Sequence, residues 1–192
     1  MGMNTNGDGS RVSPNKRPNT FALVIYIPDP LGRFLDELRR ELVPGCNPHA
    51  HVSVLPPRSL DSEWHAAGDQ VRACAGSWAP FEITLGAIQR FIVTNVIYIE
   101  VVRGAAELTR MHVAMNHGEL QTVEPFEYHP HITLAQELAP ADVEGVQRLA
   151  ERRWAEFRGP RSFRADRATF VQNTFGDCWV DLAEISLSAV LS

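Results

Sequence analysis

The sequence predicts an α+β fold built on a β-α-β-α-β unit that occurs twice, giving pseudo-two-fold symmetry with an extra strand at the end. Three observations carry this expectation. β-branched and aromatic runs alternate with helical patterns, and the order strand, helix, strand, helix, strand is traversed twice. The second strand of each unit also carries one shared pattern, His-x-His-aliphatic-hydroxyl-aliphatic, at residues 49–54 and again at 129–134.

Each element has a local cause. Residues 21–27 (FALVIYI) form a β-branched, aromatic run that ends at Pro28. Asp29 can cap a helix that has Pro30 in its first turn and a stripe of Leu31, Phe34, Leu35, Leu38 and Leu42, closed by Pro44-Gly45. Residues 49–55 (HAHVSVL) are predicted as a strand stopped by Pro56-Pro57. A second helix carries Trp64, Ala67, Val71 and Ala75 on one face, and a third strand spans 81–91 with a bend at Gly86. The second unit repeats the order. A strand over 96–102 precedes a helix with Leu108, Met111, His112 and Met115 that runs to about Gly118. A strand over 129–135 (HPHITLA) then precedes a helix starting at Pro140 with Val143, Val146, Ala150 and Trp154. Residues 168–173 and 178–187 complete the chain as a strand pair around Gly176-Asp177.

The chain has 192 residues, 44% hydrophobic and 21% charged, enough for one sizeable core. Residues 1–20 are rich in Asn, Gly, Ser and Pro and are predicted to be a disordered tail. Residues 21–192 are expected to form a single domain of two lobes, about 21–95 and 96–192. A net charge of -5 argues against a protein that coats duplex DNA. Cys46, Cys74 and Cys178 have no C-x-x-C spacing, which fits neither a disulfide framework nor a zinc ribbon and suits a reducing compartment. No apolar run approaches the ~20 residues that span a bilayer. The N-terminus lacks a secretory apolar region, and Asn6 stands where a myristoylation pattern needs Ser or Thr. A cytoplasmic protein without a membrane anchor is expected.

Side chains of a strand alternate between faces, so His51 and Ser53 share one face while Val52 and Val54 point to the other. His131 and Thr133 share a face in the same way, against Ile132 and Leu134. The two His-bearing strands lie 80 positions apart, so a shared site must form between the two units. Imidazole titrates near ~6.5, so one ring can serve as base and the other as acid near neutrality. The hydroxyls can donate to the non-bridging oxygens of a phosphate, and two-fold related histidines supply a base and an acid on opposite sides of phosphorus. Such chemistry requires no metal, nucleotide or other cofactor.

The motifs HVSVLPP and YHPHITLA resemble those of the two-histidine (2H) phosphoesterase superfamily, which includes the LigT-like RNA 2′,3′-cyclic phosphodiesterases, also called 2′-5′ RNA ligases. The resemblance spans most of residues 20–188. It implies two lobes around a central groove, with His51 and His131 as catalytic pair and Ser53 and Thr133 as phosphate-binding hydroxyls. It further implies His131 as base and His51 as acid. Ser53 stands where many members carry Thr, and Gln136 stands where many carry a basic residue. The implied activity is metal-independent hydrolysis of a 2′,3′-cyclic phosphate or related nucleotide cyclic phosphodiester to a phosphomonoester, on an RNA end or a nucleotide. ATP-independent 2′-5′ RNA ligation at the same site, and a nucleotide-binding module without turnover, are the alternatives.

Other features admit two readings each. His49 and His129 make two H-x-H pairs that could ligate a metal, although the third residue on that face is a hydroxyl; otherwise they are rim residues. Arg58 is either a fork for phosphate or a surface arginine. Residues 148–167 hold seven arginines, an RNA-facing edge or a solvated helix face, in a chain where 17 of 18 basic residues are Arg. Phe21, Tyr26, Phe91, Tyr128 and Phe175 could stack on a base, Tyr128 being nearest a motif. His65, His112 and His117 are read as solvated or structural.

Overall fold

The computed structural model describes residues 16–188. The elements are β1 (Phe21–Tyr26), α1 (Leu31–Leu42), β2 (His51–Arg58), α2 (Trp64–Ala75), β3 (Phe81–Arg90) and β4 (Ile97–Arg103), then α3 (Ala105–Met115), β5 (His131–Ala135), α4 (Val143–Glu156), β6 (Ser162–Ala165), β7 (Arg167–Gln172) and β8 (Val180–Ser186). They build two antiparallel four-stranded sheets, ordered β2-β1-β7-β8 and β5-β4-β3-β6.

The α+β duplication is present, and the two sheets exchange strands between the repeats. β3, the last strand of the first unit, pairs with β4, and β7, from the second unit, pairs with β1. Each unit therefore lends its final strand to the other unit's sheet. A short connection over 91–96 makes β3 and β4 a local antiparallel pair, which outweighs membership of the first unit. β6 has only four residues, lies within the Arg-rich stretch and pairs with β3 at the sheet edge.

The motif strands β2 and β5 are each at the edge of their sheet, and they lie against one another. Edge position explains a second departure: β2 runs through Pro56 and Pro57 to Arg58 instead of stopping, because an edge strand has a side that needs no N–H donors. β3 bends as expected at Gly86, where its register with β4 shifts between Leu85 and Ile88. A Cβ at Gly86 would come within 2.5 Å of Glu100 Oε1, so only glycine admits the carboxylate that accepts the N–H of Ala87.

The main core lies between sheets and helices, and a small second cluster of Ala22, Val24 and Val171 is separate from it. The main core takes Leu23 and Ile25 from β1, Val52 and Val54 from β2, Ile132 and Leu134 from β5, and Leu35 and Leu38 from α1. The predicted stripe of α3, Leu108, Met111, His112 and Met115, is buried throughout. Residues 1–15 of the expected tail lie outside the described residues, whereas 16–20 are joined to the domain. The Asn19 amide donates to Leu60 O at 2.8 Å and accepts from Leu60 N at 3.1 Å, and Asn173 N donates to Thr20 O at 2.9 Å. An amide with both a donor and an acceptor can complete a backbone edge in this way.

Candidate active site

The first five residues of β2 and of β5 have the same sequence of exposures, half-buried and buried in alternation and then buried again. Val52 and Val54 sit in the core opposite His51 and Ser53, and Ile132 and Leu134 sit opposite His131 and Thr133. The resulting polar row is fixed by backbone bonding. His51 Nδ1 lies 2.6 Å from His49 O, and His131 Nδ1 lies 2.6 Å from His129 O. A carbonyl only accepts, so Nδ1 carries the proton in both rings and Nε2 is left with the lone pair. Two strands thus present two basic nitrogens beside two hydroxyls.

Both imidazoles are held below their usual pKa, and unequally. His51 is pushed down to about 4, mainly by burial, with the bond to His49 O opposing and the Arg39 cation adding to the fall. Burial lowers His131 as well, against its bond to His129 O. Arg39, on α1, stands close to this end of β2 because its helical neighbour Asp36 accepts the Ala50 N–H at 2.7 Å. Its buried Nε has no hydrogen-bond partner, and burial lowers its own pKa. Nothing in the helical pattern of α1 marks Arg39 as part of the site.

A cavity of about 610 Å³ opens over Ser53, His131 and Thr133 and continues between residues 91–96 and 122–128. His51 lies two residues before Ser53 on the same strand face but is not among the residues lining this cavity. Phe91 and Tyr98 stand edge-on to His131, with centroids 5.0 Å and 5.2 Å away, and Tyr26 stands edge-on to His51 at 6.4 Å. His49 stacks on Tyr26 and stays exposed, and His129 packs edge-on to Phe91 and Tyr98 at the rim. Among the described residues no three His, Cys, Asp or Glu side chains gather into a metal-binding group.

Arg58 does not reach into this cavity. It is 4% exposed, and its guanidinium bonds Pro56 O, Asn116 Oδ1, Leu120 O and Glu124 Oε1, the last at 2.6 Å. The continuation of β2 beyond the prolines turns the fork inward, where it ties down the chain between α3 and β5. Tyr128 does line the cavity, with one ring face occupied: it stacks on His112 at 3.9 Å, and its hydroxyl donates to Ser53 O at 2.7 Å. Burial raises the Tyr128 pKa, which keeps that donor protonated. His112 is buried, not solvated: Nδ1 donates to Val54 O at 2.9 Å and Nε2 faces Glu124 Oε2 at 3.5 Å. His65 and His117 are exposed. Four arginines of the Arg-rich stretch have partners on the protein itself. Arg153 pairs with Glu41 and Glu156, Arg148 with Glu144, Arg167 with Asp166 and Glu184, and Arg161 lies over the Trp154 ring. Phe21 is core and Phe175 lies on the surface away from the cavity.

Sheets, helices and facing motif strands define the LigT class of α+β protein. LigT of E. coli, crystallised with NADP+, superposes with a TM-score of 0.60 at 17% identity, covering 90% of this chain and 99% of that one. Usb1 of Kluyveromyces marxianus, crystallised with uridine monophosphate, superposes at 0.51 with 13% identity, covering 85% and 97%. At such identities the likeness is one of fold. A Bacillus cytotoxicus protein named as a phosphoesterase is 31% identical over 101 residues, 48% of this chain and 58% of its own length, so the match spans little more than half of that relative. The profile of the 2′-5′ RNA ligase superfamily matches residues 27–176, and the chain belongs to that family. Among the described residues no helix is long and apolar enough to cross a membrane.

Proposed function

We propose that this chain hydrolyses a nucleoside 2′,3′-cyclic phosphate, or a related nucleotide cyclic phosphodiester, to a phosphomonoester. The observation that carries this is the matched pair of strand faces, each with an imidazole whose Nδ1 is tied to a carbonyl and whose Nε2 is free beside a hydroxyl. One imidazole takes a proton from water, the water oxygen bonds to phosphorus, and the bond from phosphorus to one ribose oxygen breaks. The other imidazole protonates that oxygen, while Ser53 and Thr133 donate to the non-bridging oxygens. The resemblance of the motifs assigns His131 as base and His51 as acid.

Both rings are depressed in pKa, so the acid is neutral near pH 7 until a substrate arrives. The bound phosphate anion favours imidazolium beside it, so binding draws a proton from solvent onto the ring that serves as acid. Nucleotides bound to the fold relatives LigT and Usb1 support a nucleotide substrate. Incubation with 2′,3′-cyclic AMP in EDTA, followed by phosphorus NMR, is expected to show the cyclic resonance replaced by a single phosphomonoester. An unchanged cyclic resonance refutes the proposal. A 2′-5′-linked product, formed when a 5′-hydroxyl oligonucleotide is added, would assign ligation instead.

A further inference from the structure

We propose that the groove accepts a compact nucleotide with a single phosphate, its base lying on an apolar wall, and rejects a polyanionic RNA strand, given the phosphodiesterase activity proposed for the same site. The wall is the connection between β3 and β4. Ile92 is 73% exposed and Val93 83% exposed, and both line the cavity, facing Phe126, itself 61% exposed, across the mouth. Large apolar side chains gain nothing from water, and a flat heterocycle between them would cover both walls. The turn that holds them is set before any ligand arrives. Asn95 N donates to Phe91 O at 2.8 Å, Phe91 N donates to Val96 O at 3.0 Å, and Asn95 sits at φ 55°. The facing segment is anchored by the buried Arg58–Glu124 pair.

Charge sets the size limit. Among the described residues no lysine or arginine lines the cavity, and Glu127 adds a carboxylate to its rim. Arg58 is bonded inward, Gln136 is uncharged, and the arginines of 148–167 stand outside the cavity lining, Arg148, Arg153 and Arg167 being paired with carboxylates. In the cavity one phosphate finds the hydroxyls of Ser53 and Thr133 and the imidazole of His131, with His51 two residues before Ser53 on the same strand face. A second would lose its water without gaining a partner, whereas single-stranded backbones are bound along basic tracks. The volume of about 610 Å³ suits a small molecule.

The test compares 2′,3′-cyclic AMP with a short oligoadenylate ending in a 2′,3′-cyclic phosphate, and, by calorimetry, adenosine 2′-monophosphate with the corresponding phosphate-ended oligoadenylate. The mononucleotide is expected to be favoured about tenfold or more in both, with affinity nearly constant between roughly 50 and 200 mM salt. The double variant Ile92→Ser/Val93→Ser should weaken mononucleotide binding several-fold while far-ultraviolet circular dichroism stays unchanged. Glu127→Lys should improve oligonucleotide binding more than mononucleotide binding. Equal or tighter oligonucleotide binding that falls steeply with salt, or a double variant that binds the mononucleotide as the parent does, overturns the inference. If neither cyclic compound is hydrolysed yet the mononucleotide binds in a wall-dependent way, the proposed activity fails and the size limit stands.

Discussion

β2 and β5 repeat one device in two different settings. Each places an imidazole and a hydroxyl on its outer face, and each ties Nδ1 to the carbonyl two residues earlier. Around His51 the surroundings are scaffold: α1 brings Arg39 near, and the strand continues to Arg58 and its bond with Glu124. Around His131 they are aromatic and open: Phe91 and Tyr98 frame the ring, the strand ends at Ala135, and Gln136 lines the cavity. The difference teaches that the repeated motif supplies the matching polar groups, while the elements packed around each strand give the two histidines unlike surroundings.

The largest expected effect tests whether the pair acts as a pair. His51→Ala and His131→Ala should each lower kcat on 2′,3′-cyclic AMP by ~10²–10⁴-fold, the usual worth of an acid or base group. Unfolding curves should move little, because both residues are half-buried and on the strand faces opposite the core. If one variant keeps parental turnover, the two strands are not equivalent partners and the symmetric mechanism is wrong.

The second test targets the anchor found only on the β2 side. Glu124→Ala leaves the Arg58 guanidinium, with a side chain 1% exposed, buried without its carboxylate. Stranding such a charge costs ~3–5 kcal/mol, readable as a lowered denaturant midpoint. A variant as stable as the parent would show that the bonds of Arg58 to Asn116 and Leu120 suffice.

What the sequence could disclose follows from which properties are local. Alternation along HVSV and HITL is a matter of adjacent residues, so the faces of His51, Ser53, His131 and Thr133 were legible, as was the stripe of α3. Strand partners are not local. Nothing in FEITLGAIQR says that it pairs with β4 while β7 crosses to β1. Edge position is equally global, which is why the prolines read as a stop and Arg58 as either a fork for phosphate or a surface arginine. Tyr128 is legible as a neighbour of the site, but its stacking on His112 and its bond to Ser53 O, 75 positions away, depend on how the chain folds back. The sequence does carry one signal of the cavity wall: the apolar run Phe91-Ile92-Val93 continues past the end of β3 into a turn, where polar residues are the rule.

The smallest effect is also the most specific, since it separates the two histidines without removing either. Both are depressed below the ordinary ~6.5. The unfolded chain therefore binds protons first on acidification. Stability contributed by the neutral rings is present above that value and is lost as pH falls toward about 4, where His51 itself charges. The same ordering places the maximum of kcat/KM on the acid side of 6.5, whichever ring is the base, while kcat, measured with the anion bound, peaks at higher pH. Arg39→Met removes the cation near His51 along with a buried Nε that has no partner. Proton NMR titration of the two rings should then show His51 rising toward the ordinary value and His131 unmoved. The acidic limb of kcat/KM should move up with His51. Equal movement of both rings, or of neither, would mean that Arg39 does not distinguish them and that burial alone separates the two strands.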